Sequence, residues 1–87
     1  MKKIGIVGGI GPASTVDYYM GIIGKYASKY GPDVYPEIVI DSINLNRLMG
    51  AMVKENFDEA FEIIKASLIN LKNAGADIGA VASNTPH

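Results

Sequence analysis

Three short runs of β-branched and small apolar residues, Lys2–Gly8, Pro36–Ile43 and Asp77–Ser83, constrain this chain more than anything else in it. None alternates apolar with polar positions as a half-buried strand does, so each reads as a strand covered on both faces. Two segments of helical length separate them. In "PASTVDYYMGIIGKYASKYG", Val16, Tyr19, Met20, Ile23 and Tyr26 recur at steps of three and four, with Pro12 at the first turn and Gly31-Pro32 as the stop. From about Glu55 to Asn73, the same spacing links Phe57, Ala60, Phe61, Ile64, Leu68 and Leu71, and Gly75 terminates the segment. "NLNRLMGAM" reads as a loop or a short helical turn. The order β-α-β-α-β predicts an α/β fold: a three-layer, doubly wound parallel sheet of Rossmann-like or flavodoxin-like type, with right-handed crossovers.

The 87 residues suffice for one small core and exclude a second domain. At 48% hydrophobic and 20% charged, the composition is that of a folding chain. Eight basic residues against nine acidic ones, with no Lys/Arg stripe, argue against nucleic acid as a partner. Without cysteine there is neither a disulfide framework nor a thiolate metal site, which is compatible with a cytoplasmic protein. The opening "MKKIGIVGGIG" superficially resembles a signal peptide, but glycines break its apolar run after Val7. No stretch approaches the roughly 20 apolar residues of a membrane span. The chain stops directly after the third strand, so it is expected to be a half-molecule whose open sheet edge and uncovered helix faces favour self-association.

Ligands of open parallel sheets bind beyond the carboxyl ends of the strands. Three loops are expected there: "GGIGPAST", "SINLNRL" and "SNTPH". Gly8, Gly9 and Gly11 precede a helix N-terminus, where bare backbone N–H groups can approach a carboxylate or phosphate. Equally, the glycines could form a plain tight turn with Ser14 or Thr15 capping the helix. A dinucleotide fingerprint is incomplete, because Ser14 stands where the third glycine belongs, although Asp41 could imitate a ribose-binding acid. Ser83, Asn84 and Thr85 offer two hydroxyls and an amide, or else start an ordinary Asx or Ser/Thr turn ahead of Pro86. His87, the sole histidine, could transfer protons or be incidental. Asp17, Tyr18 and Tyr19 read as a cap-region charge and packed aromatics, and no histidine–carboxylate cluster has metal-ligand spacing.

Taken together, "IGIVGGIGPASTVDYY", "GAD" before the third strand and "SNTPH" at its end resemble the amino-terminal half of the aspartate/glutamate racemase family, across essentially all 87 residues. The resemblance implies one half of a two-domain, pseudo-symmetric α/β protein with an acidic amino acid bound between the halves. It implies racemisation by two bases with no cofactor, pyridoxal phosphate included, and no metal. The first base in that family is the cysteine of a C-N-T-x-H motif. Ser83 occupies that position here, as a hydroxyl residue does in some relatives of similar layout. Asn84 and Thr85 would hold the substrate α-carboxylate or ammonium, the backbone of Gly9, Ile10 and Gly11 would line the cleft, and Asn44, Arg47 or Met52 could approach the distal carboxylate. An alkanol is a far poorer base than a thiol near pKa 8.5, so Ser83 needs an activating neighbour. The 87 residues alone are expected to be inactive, with a non-catalytic dicarboxylate-binding module as the alternative.

Overall fold

A computed structural model describes residues 2–83. The order is β1 (Ile4–Ile10), α1 (Pro12–Tyr30), β2 (Ile38–Ser42), α2 (Leu45–Val53), α3 (Phe57–Asn73) and β3 (Ile78–Ser83). All three strands are parallel, and β1 lies in the centre of the order β2-β1-β3. The chain therefore reverses direction across the sheet after β2. Right-handed crossovers then put α1 on one face and α3 on the other. The contacts agree. A Cβ on Gly8 would strike Thr15 of α1, whereas one on Gly5 would strike Leu71 of α3 and Ala76 beyond it. The expected three-layer parallel α/β architecture is thus observed.

α2 is an addition to the expected order. It is a nine-residue helix in place of a loop or single turn, and the Asn44 side chain caps it by accepting from the Arg47 N–H at 3.3 Å. Its inward residues Leu48 and Ala51 pack with Ala60 and Ile63 of α3, and Ile10, Ile43 and Ile64 close this apolar cluster. The cluster sits under the carboxyl end of β1 and fixes the loops that emerge there.

Both long helices form where the periodicity puts them, but each is turned from the expected face. In α3 the buried residues are Ala60, Ile63, Ser67 and Leu71, while Phe57 and Phe61 are exposed, the latter at 63%. The C-terminal part of α3 packs closely on the sheet: a Cβ on Gly5 would lie 2.9 Å from Ala76 Cβ and 3.1 Å from Leu71 Cβ, while Ala60 packs against α2 and Ser67 donates to Asp41. In α1 only Ser14 and Thr15 are buried; Ile23 and Tyr26 are half-buried, and Val16 and Met20 are 59% and 57% exposed.

The stops at Gly31 and Gly75 are where the sequence puts them, with φ of 126° and 92°. The opposite end of the sheet is tied by Lys3 and Asp77: the Lys3 N–H donates to the Asp77 carboxylate at 2.9 Å, and the Asp77 N–H to the Lys3 carbonyl at 2.8 Å. Two glycines inside α1, Gly21 and Gly24, have open space where a Cβ would be. Each weakens the helix by about 1 kcal/mol relative to alanine. Among the described residues no helix is long and apolar enough to cross a membrane.

Candidate functional site

The loop between β1 and α1 is held by three ties. The Gly9 N–H donates to the Thr15 hydroxyl at 2.9 Å in a buried hydrogen bond, and that hydroxyl in turn lies 3.4 Å from the Gly11 carbonyl it donates to. Thr15 thus faces back into the loop and is not an N-cap. Gly11 occupies the cap position, and no side chain among the described residues caps this helix. The third tie is the Ile43 N–H, which donates to the Gly8 carbonyl at 2.9 Å and brings the loop after β2 across the glycines.

The three loop glycines are glycine for different reasons. Gly9 has φ +90°, a region L side chains rarely adopt, and a Cβ there would run into the Ile43 carbonyl and lie 3.0 Å from Ser42 Oγ. Gly8 has no room beside the Thr15 side chain. Among the described residues Gly11 has neither constraint: its φ is −75°, and none of them stands within 4 Å of a Cβ placed on it. The backbone at the α1 N-terminus is therefore approachable from outside. There the helix dipole presents its positive end, unneutralised by any acidic residue in the first turn.

β3 reaches the same edge. Its pairing with β1 shifts register between Val7 and Ile10, after which Ile10 and Ser83 are partners. This backbone register makes Ser83 the direct strand neighbour of Ile10, one residue from the α1 cap. Gly8 is likewise paired with Ser42 on the β2 side. Residues from all three strands thus meet at one sheet edge. Asn84, Thr85 and His87 lie outside the described residues.

The other sequence-derived candidates distribute as follows. Ile10 turns its side chain into the α2–α3 cluster, leaving its backbone for the loop. Asn44 spends its side-chain oxygen on capping α2. Met52 is half-exposed in α2, about 10 Å along the helix axis from Leu45. Asp41, considered as a ribose-binding acid, accepts a hydrogen bond from the buried Ser67 hydroxyl of α3, so its carboxylate is engaged on the opposite face from α1. Ser42 and Ile43 open the "SINLNRL" loop expected beside the glycines, but neither was singled out as a site residue. Their only sequence signal was position at the end of β2, because the tie to Gly8 and Gly9 is made across the sheet.

No family model matches the sequence. Among solved structures, the chain is similar to an aspartate racemase homologue from Pyrococcus horikoshii OT3, with 39% identity and a TM-score of 0.88 over 100% of this chain and 38% of that one. It is also similar to a candidate Asp/Glu racemase from Yersinia pestis, with 27% identity and a TM-score of 0.92 over 97% of this chain and 36% of that one. At 27% and 39% identity, the likeness extends beyond backbone shape to the sequence. The chain therefore carries the fold of the aspartate/glutamate racemase family, to which its loop motifs also point, over a little more than a third of the length of those two proteins.

Proposed function

We propose that this chain supplies one wall of a site that racemises an acidic amino acid, aspartate or glutamate, by two-base proton transfer without pyridoxal phosphate. The observation that supports the reading is the pairing of Ile10 with Ser83, which sets the first residue of the C-N-T-x-H-like segment beside the glycine loop. In this reading the substrate α-carboxylate sits against the backbone of Gly9, Ile10 and Gly11, with Asn84 and Thr85 holding the carboxylate or ammonium. Ser83 stands where the first base belongs. A base there removes the Cα proton, and the C–H electron pair passes into the carboxylate as an enediolate. The conjugate acid of a second base then protonates Cα from the opposite face. No other bond is exchanged, so inversion needs no redox partner.

The second base is assigned to residues beyond these 87, because the chain spans only 36% and 38% of the proteins it matches. The chain alone is expected to bind aspartate and not to racemise it. Titrating L-aspartate into the ¹⁵N-labelled chain in ordinary water, and following the handedness of aspartate incubated with the chain, tests both statements. The reading expects amide shifts at Gly9, Gly11 and Ser83–Thr85 with no net inversion. Unmoved amides with both aspartate and glutamate, or full racemisation by the chain alone, would overturn it.

The hydroxyl at Ser83 favours a second reading, a dicarboxylate-binding module that no longer abstracts the proton. Ser83→Cys in deuterated water separates the two. Deuterium entering Cα of one enantiomer without inversion supports the racemase wall, and retained binding with no deuterium entry supports the binder.

A further inference from the structure

We propose that the outward side of α1 is a self-association surface, on which a second copy of this chain packs antiparallel with Gly21 at the two-fold axis. An open groove of about 440 Å³ runs along this side, lined by Asp17, Tyr18, Gly21, Ile22 and Lys25. Its walls are mainly apolar, and Tyr18 is 42% exposed in it. Nothing inside the chain requires glycine at positions 21 or 24, since a Cβ at either would meet no atom within 4 Å. Two helix-weakening residues therefore bare the α1 backbone toward the outside, where close approach of another helix would use them.

The charges identify the occupant. Asp17 and Lys25 stand four residues before and four after Gly21, about 6 Å to either side along the axis. Neither makes an ion pair among the described residues. A two-fold axis through Gly21 reverses the helix direction, so Asp17 of each copy comes level with Lys25 of the other. The surface is thus complementary to its own reversed copy, as an isologous interface must be, and it closes at a dimer. A parallel pairing would set like charge against like charge. None of these residues belongs to the sheet edge discussed above, so this inference stands apart from the proposed racemase role.

Sedimentation velocity of the 87-residue chain over a concentration series at low salt reads the outcome. A monomer–dimer equilibrium is expected. Gly21→Leu should raise its dissociation constant by at least about tenfold. Its far-UV circular dichroism should show helix content retained or increased, because leucine is the better helix former and has open space at this position. Asp17→Lys should also weaken the dimer, and combining it with Lys25→Asp should restore it. A chain that stays monomeric at every concentration overturns the proposal. So does a dimer indifferent to Gly21→Leu, or one that the double charge reversal fails to restore.

Discussion

The two faces of the sheet are packed to different standards. On the α3 side, Leu71 and Ser67 are fully buried, Gly5 and Gly79 let the helix lie close to the strands, and the Asp41 carboxylate is engaged by Ser67. On the α1 side, the helix itself buries only Ser14 and Thr15 in its first turn, although Ile6 of β1, which shares the face of Gly8, is fully buried. Beyond them, Val16 and Met20 of the helix and Ile40 of the sheet keep substantial exposure. Helix α3 is buried along its length, whereas α1 is buried only in its first turn, beside the glycine loop.

The largest expected effect tests the α3 side. Leu71→Ala removes a side chain that is 2% exposed and packs on Gly5. Strand glycines cannot refill the cavity, so the loss should be about 2–5 kcal/mol. Against about 4–13 kcal/mol for a chain of this length, that is a large share. The urea midpoint should fall steeply with the slope unchanged. A loss under about 1 kcal/mol would mean that the α3 face is not the principal core.

Thr15→Val probes the buried first turn of α1. The replacement keeps the volume that fills the space beside Gly8 but removes the acceptor of the Gly9 N–H. A buried donor left unpaired costs about 1–3 kcal/mol. Amide hydrogen exchange should also quicken at Gly9 specifically, which separates the loop effect from general loosening.

These two residues also mark what was legible in the sequence. The three strands, the two long helices and their glycine stops follow from periodicity and punctuation. The faces of the helices did not follow, because hydrophobicity alone puts Phe57 and Phe61 inward, whereas packing against α2 buries Ala60 and the bond to Asp41 goes with a buried Ser67. α2 was hidden because nine residues with Gly50 among them bury only Leu48 and Ala51, too few to show a period. At the site, Gly9 and Gly11 could be singled out as glycines. That Gly9 is required by the Ile43 carbonyl, while Gly11 meets none of the described residues, depends on residues brought together across the sheet.

Ser67→Ala addresses the polar tie on the α3 side, with a smaller expected effect. Ser67 donates to a carboxylate that is only half-buried, so water can replace the lost partner of Asp41. The loss should be about 1 kcal/mol. Asp41→Asn should recover part of it in the double variant, because an uncharged amide is cheaper to leave without the hydroxyl.

Met20→Ser should have the smallest effect, and its smallness is what sharpens the contrast. The side chain is 57% exposed on a helix whose buried residues are confined to the first turn, so little apolar contact is lost in the isolated chain. Serine is also a slightly poorer helix former than methionine, and the two terms together stay within about 0.5 kcal/mol. Equal urea midpoints for Met20→Ser and the parent, beside the collapse of Leu71→Ala, would show that the two faces contribute unequally to folding. A Met20→Ser loss near 2 kcal/mol would instead mean that the outer part of α1 is covered in solution. Repeating the measurement at several protein concentrations would show whether a second copy provides that cover, since only then does the midpoint move with concentration.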